Sequence, residues 1–272
     1  MTGMLLRSGR VSAWLRRHRV ARLEHVVRAL VDVADVQSAL ETRGIHDADV
    51  IAVLTQLQED IARCDDDEPD AEPPFDPALD QLTKGATVNG LLSTTRFVEG
   101  LAAALPPELA FVRRPLAACA GELGATFDAV LSSTKDGSLT FDAWDPQLKT
   151  CVGLMQQLSD KRWQSWQMSP MSLFVSLLSY KPYFAYFKER GHDPVALVNE
   201  LAEGMPKPTW PVRPRPASLT PSVNPALFAL LLRSERYAAA DATDVRLRHL
   251  LHALHDERAI APWIDRLASA AT

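Results

Sequence analysis

The chain is predicted to be all-α, and three observations predict it. One leucine-rich stretch recurs along its length: Arg22-Leu23-Glu24-His25-Val26-Val27-Arg28-Ala29-Leu30 has a near twin in Arg246-Leu247-Arg248-His249-Leu250-Leu251-His252-Ala253-Leu254. Weaker copies run from Ser93 to Leu101 and from Ser169 to Leu177, so the closing leucines stand 71, 76 and 77 residues apart. Self-similarity at a nearly constant step marks a repeated supersecondary unit, here four of them. A second marker is independent of the first. Asp76-Pro77-Ala78-Leu79, Asp145-Pro146-Gln147-Leu148 and Asn224-Pro225-Ala226-Leu227 share one helix-start design. In it an Asx side chain caps free N–H groups and proline fills the first helical position, where its missing N–H costs nothing. Third, strand signals are weak: few alternating runs, and no hairpin dipeptide is read between β-branched stretches.

Taken in order, Val11 to Leu15, His25 to Leu30, Val36 to Leu40 and Val50 to Ile61 each space their apolar residues three to four apart, as amphipathic helices do. Gly44 stands where a helix ends. The first 23 residues carry Arg7, Arg10, Arg16, Arg17, Arg19 and Arg22 without an acidic residue, a composition shared with transit peptides. Leu5, Leu6, Val11, Trp14 and Leu15 also fit one helix face where the repeat requires a helix, and a folded first helix is the expectation. Cys64 to Phe75 is an acidic, proline-bearing run with the composition of a linker or an acidic docking strip. In the second repeat Pro106-Pro107 and Pro115 are expected to interrupt the helices. The third is the fullest: Ser169-Pro170 caps Met171 to Leu178, a loop at Lys181-Pro182 leads into Tyr183 to Arg190, and Asp193-Pro194 starts Val195 to Leu201. Gly191 follows Leu177 by 14 residues, as Gly44 follows Leu30. Residues 205–222 are proline-rich and read as an extended linker. The fourth repeat, 223–272, holds about one helix fewer than the others.

Composition narrows the function classes. With 29 basic against 34 acidic residues the net charge is −5, which does not suit a nucleic-acid or anionic-membrane coat. Three scattered cysteines without a Cys-x-x-Cys pair point to a reducing compartment, and so to a cytoplasmic protein, rather than a disulfide scaffold. No apolar run is long enough for a membrane helix. The arginines of the first helix are read as a solvated face or a contact for the acidic run, with nucleic acid as the other reading.

Leu23-Glu24-His25-Val26-Val27-Arg28-Ala29-Leu30, continued by Gly44, Asp47, Val50 and Leu54, resembles the Thr-x-Glu-His-Leu-Leu-x-Ala-Leu signature of the Clp N-terminal domain. That domain is the substrate- and adaptor-binding module of Clp-type AAA+ unfoldases, and it consists of two tandem helical repeats about a pseudo-twofold axis. The resemblance implies two tandem double-Clp-N-like domains. They would span 1–136, with repeats 1–61 and 75–131 and the acidic linker 64–75, and 137–272, with repeats 145–204 and 223–272. It is best at 19–61 and 223–268. No Gly-x-x-x-x-Gly-Lys-[Ser/Thr] occurs, so the ATPase module is absent from the sequence and the implied protein binds partners without unfolding them. Some family members bind phosphorylated arginine through the Glu of each Glu-His signature. Here it stands only as Glu24, with Thr95, Met171 and Arg248 at the matching positions, which predicts a different ligand. By the same resemblance His25 and His249 are structural signature residues.

Other residues carry rival readings. His249, His252, His255 and Asp256 recur three or four apart, a spacing that suits metal ligands, but His249 matches His25 and the structural reading is preferred, with no metal or cofactor expected. Trp163, Trp166, Tyr180, Tyr183, Phe184, Tyr186 and Phe187 cluster; helical spacing puts Phe184 and Phe187 in the core with Phe174 and Leu178. Tyr183 and Tyr186 then face elsewhere; core packing is the preferred reading of the cluster, and with Tyr180, Glu24 and Arg248 these two are the candidate partner contacts. No nucleophile motif is present, so no enzyme is expected. The functional expectation is a non-catalytic protein- or peptide-binding module whose partner is a Clp client, an adaptor or a bacterial secretion component. The alternative is an inhibitor or immunity-type protein that occludes a toxin or enzyme.

Overall fold

A computed structural model describes residues 2–63, 73–128, 134–135, 138–139, 141, 143–162, 166–204 and 221–269. The chain is mostly helical, with 73% of it in helix and 14 α-helices among the described residues. The expected linkers lie largely outside them, at 64–72 and 205–220. The chain forms two compact units; of the described residues, those up to 128 and Asn224–Ala226 belong to the first, and the others from 134 onward to the second.

In the first unit α1 (Thr2–Leu15), α2 (Leu23–Val31), α3 (Ala34–Glu41) and α4 (Asp47–Glu59) are followed by α5 (Pro77–Ala86), α6 (Thr94–Ala104) and α7 (Ala110–Phe127). The expected first helix is present as α1, with Leu5, Leu6 and Trp14 buried along its face. Two glycines set helix separations. A Cβ on Gly9 of α1 would lie 2.7 Å from Val26 Cγ2 of α2, and one on Gly124 of α7 would lie 2.0 Å from Thr95 Oγ1 of α6. Pro115, expected to interrupt a helix, does not. It sits buried inside the 18-residue α7, near enough to the N-terminus that only the bond back to the first turn is lost.

A hairpin corrects the reading of strands. Thr87–Val88 pairs antiparallel with Leu91–Leu92, and Asn89 and Gly90 between them both have positive φ, 52° and 78°. These are the angles of a type I′ turn, for which Asn-Gly is the favoured dipeptide. The signal was present in the sequence, masked by two-residue strands too short to alternate.

The second unit contains α8 (Pro146–Gln157), α9 (Pro170–Ser179), α10 (Lys181–Glu189), α11 (Pro194–Gly204), α12 (Pro225–Ala240), α13 (Leu247–His255) and α14 (Ala261–Ser269). Trp144, Leu148, Phe174, Leu177, Leu230 and Leu254 lie in its core. Arg233 of α12 is tied to the buried Glu257 behind α13 and to Asp256 at 3.5 Å. Helix starts follow the local rule: Asp76 accepts from the N–H of Leu79 (2.9 Å), Asp145 from Gln147 (2.8 Å) and Asp193 from Val195 (3.0 Å), each with proline next in the chain. Gly44 and Gly191 close α3 and α10 with φ of 68° and 83°. Asp145→Ala is expected to cost about 1 kcal/mol in urea unfolding of the second unit; an unchanged midpoint would mean the cap is idle.

Short parallel bridges link the pieces inside each unit in one pattern. In the first, Ala21, just before α2, pairs with Phe75, just before the Asp76 cap: the Ala21 N–H donates to Pro74 O (2.8 Å) and the Asp76 N–H to Ala21 O (3.0 Å). In the second, Val245, just before α13, pairs with Trp144, just before the Asp145 cap, with bonds of 2.9 Å to Ala143 O and from the Asp145 N–H. The reciprocal bridge is also there, since Met168 before α9 pairs with Val223 ahead of α12. Each half of the second unit thus lends the strand before its second helix to the strand before the other half's first. In the first unit the residues before α6 are used in the hairpin instead.

Candidate functional site

The four recurring stretches all begin at a helix N-cap: Arg22 for α2, Ser93 for α6, Ser169 for α9 and Arg246 for α13. At α2 and α13 the third helical residue is histidine, and its ring does the capping. The backbone N–H of Arg22 donates to His25 Nδ1 (3.0 Å), and that of Arg246 to His249 Nδ1 (3.1 Å). At α9 Ser172 does the same through Oγ, at 3.3 Å from the Ser169 N–H. A capping box normally uses Glu or Gln at this position. An imidazole Nδ1 serves equally as acceptor, and the rings are held in the core rather than pointing at a partner.

Because a backbone N–H can only donate, Nδ1 of each capping histidine accepts and the neutral ring carries its proton on Nε2. The His25 Nε2–H therefore donates to His18 Nδ1, 2.8 Å away, while His249 Nε2 lies 2.9 Å from Asp241 Oδ2 and 3.0 Å from Arg248 Nε. Burial, then the cationic neighbourhood, pushes His25 down to about 3 and His18 down to about 4. Asp241, which also takes Arg248 Nη2 at 2.8 Å, is held below the ordinary carboxylate range, first by His249 and then by Arg248.

Glu24 precedes His25 as the second residue of α2. Its Oε2 is buried with no hydrogen-bond partner in the fold. Burial raises its pKa against a bond from its own backbone and the charge of Arg22, and Asp76 adds to the rise. A carboxylate oxygen left without a donor costs free energy, so the position is a candidate for a cationic or hydrogen-donating ligand. The matching residues are used differently. Thr95 abuts Gly124 across the closest approach of α6 and α7. Met171 packs against the second core. Arg248 is anti-complementary to the helix dipole at this first-turn position and is neutralised by Asp241. Of the four, Glu24 is the one with a buried side-chain oxygen that has no hydrogen-bond partner.

The remaining candidates separate. Tyr183, expected on an outer face, is a core residue only 6% exposed, packed with Phe187, while Phe184 is half-buried. One turn of α10 has exchanged the two faces, since residues four apart share a side and Tyr183 pairs with Phe187. Tyr180 is half-buried, edge-on to Tyr183 with ring centroids 5.4 Å apart. Tyr186 is exposed as expected and stacks under the Arg190 guanidinium at 3.5 Å. Trp163 lies outside the described residues, and Trp166 is buried. The histidines of α13 and its C-cap do not converge: His252 stacks on Tyr237, His255 meets Asp265 of α14 at 3.0 Å, and Asp256 accepts from the Tyr237 hydroxyl at 2.7 Å. Among the described residues no three His, Cys, Asp or Glu side chains gather as metal ligands, and no helix is long and apolar enough to cross a membrane.

Two surface features were not foreseen. The hairpin places Leu91 77% exposed, with Val88 outward beside it. Between α3 and α7 lies a groove of about 320 Å³ lined by Asp35, Ser38, Thr42, Arg43, Cys119 and Glu122. Burial, followed by the two carboxylates, pushes the Cys119 thiol up to about 11, so it is not a reactive thiolate. A groove between helices distant in sequence leaves no local pattern, whereas the Asn-Gly turn does.

Compared with known proteins, the chain matches no family model, no curated protein and no solved structure.

Proposed function

We propose that the chain is a non-catalytic protein- or peptide-binding module, built as two tandem domains of the Clp N-terminal type, each from two helical repeats. The observation that carries the binding reading is the Glu24 carboxylate, half-buried at the start of α2 with Oε2 lacking any partner from the fold. The exchanged bridges before α9, α12, α13 and α8 support the repeat architecture, as does the common N-cap register of the four stretches. Glu24 takes a cationic group of the bound segment, such as an arginine side chain, and the exposed Val88 and Leu91 of the hairpin offer apolar area to partners. A Clp client, an adaptor or a secretion component handled in the cytoplasm is the partner class.

Fluorescence anisotropy with labelled peptides, one set bearing arginine and one matched set without it, tests this. Wild type is expected to prefer the arginine set, and Glu24→Gln to weaken that binding about tenfold, the loss of one charge-assisted bond. Equal binding of both sets, or a Glu24→Gln variant indistinguishable from wild type, would overturn the role of Glu24; no binding to either set would overturn the module itself.

A further inference from the structure

The junction between α1 and α2 is closed by a pair of imidazoles with no room for another proton. His18, in the turn after α1, and His25 of α2 are both buried, with Nδ1 and Nε2 2.8 Å apart. The bond from the Arg22 N–H occupies His25 Nδ1, and the His25 Nε2–H occupies His18 Nδ1. Every nitrogen that lacks a proton in this arrangement is already an acceptor. Adding one to His18 Nδ1 sets two N–H groups face to face. Adding one to His25 Nδ1 sets N–H against the backbone N–H of Arg22.

The surroundings make a charge there still less tolerable. Arg16 at the end of α1, Arg22 at the start of α2 and Arg63 beyond α4 all act on the pair with positive charge. The nearby carboxylates act elsewhere: Glu59 of α4 on Arg16, and Asp76 ahead of α5 on Glu24. The segment holding His18 is itself pinned by backbone pairing to Arg63 and by the Arg19 N–H donating to Ala62 O at 3.0 Å. Strain at the pair therefore bears on the packing of α1 against α2. The second unit is built differently at the matching place, where the partner of His249 Nε2 is a carboxylate, that of the half-exposed Asp241, and not a second buried imidazole.

We propose that the His18–His25 pair is an acid-sensitive latch, whose protonation in mild acid parts the imidazoles and loosens α1 from α2 while the second unit stays closed. The sign follows from the linkage. Both rings lie below the ordinary histidine value when folded, so the stabilisation is complete above about pH 6.5 and falls away as pH drops toward about 4.

Hydrogen exchange of the full chain at pH 7.5 and 5.5, corrected for the intrinsic pH dependence of exchange, tests the latch. Amides of residues 4–31 are expected to lose at least tenfold in protection, and those of 225–255 to lose less than threefold. His18→Asn keeps an acceptor near the Nδ1 position but does not titrate, and it is expected to retain most of its protection at pH 5.5. Imidazole resonances in NMR supply a readout that survives if this variant folds poorly: neither His18 nor His25 titrates near pH 6.5 while α1 remains packed. Unchanged protection of 4–31 at pH 5.5, equal losses in both units, or ordinary titration of both rings without loosening would each overturn the proposal.

Discussion

Replacing His25 with alanine is expected to destabilise the first unit by about 4 kcal/mol, the largest effect of any single substitution proposed for this chain. Three losses coincide. The Arg22 N–H loses its acceptor at the start of α2, a capping defect of about 1 kcal/mol. His18 Nδ1 loses its donor in a site closed to solvent, which costs about 1 to 3 kcal/mol. The imidazole, fully buried, leaves a cavity worth about 1 to 2 kcal/mol more. His249→Ala at the matching position is expected to cost less, because Asp241 is 48% exposed and takes water and Arg248 in its place. Urea titration read by hydrogen exchange separately on 23–31 and 247–255 distinguishes the two. A loss below about 1 kcal/mol for His25→Ala would show that the ring is packing alone and not a cap.

Gly124→Ala is expected to cost the same unit about 2 to 3 kcal/mol by forcing α7 away from α6. The new methyl would lie 2.0 Å from Thr95 Oγ1, 3.2 Å from its Cβ and 3.4 Å from its backbone nitrogen. Rotating the hydroxyl away removes only the first contact, and the β-branched side chain has few rotamers to choose from. The remedy is specific: Thr95→Ala leaves only the tight Cβ contact, so the double variant is expected to recover at least half of the loss. If Thr95→Ala gives no recovery, the two helices do not meet where Gly124 and Thr95 place them. Gly100→Ala is the internal contrast, since its close neighbour is the end of the flexible Leu82 side chain at 2.7 Å, which moves cheaply.

Where helices begin and end was legible from residues three or four apart. Arg22, Ser93, Ser169 and Arg246 were aligned by leucine spacing alone, and all four prove to be N-caps. Gly44 and Gly191 occupy the left-handed positions their spacing suggested. Caps and left-handed turns are local: the bonds they make are to backbone a few residues away, so their chemistry is written in a short window. The Asn89-Gly90 turn is written equally locally, but its two-residue strands are too short to show an alternating pattern.

The sequence by itself determined the helical class, the recurrence of one helix start four times, and the presence of an acidic residue at the position of Glu24 in one of the four stretches. Tertiary structure decided the rest. It sent Tyr183 inward and left Phe184 half-exposed, because a helix with aromatics at successive positions has more than one apolar face and its neighbours choose between them. It gave His25 a partner in His18 and His249 one in Asp241, and so gave two near-identical sequence stretches different partners for the same buried ring. It closed the Thr95 position against α7, neutralised Arg248 with Asp241 and left Glu24 without a partner for Oε2. The physical reason is common to all of these: capping energies act within one turn of chain, whereas burial, ion pairing and desolvation depend on which distant elements the fold brings alongside.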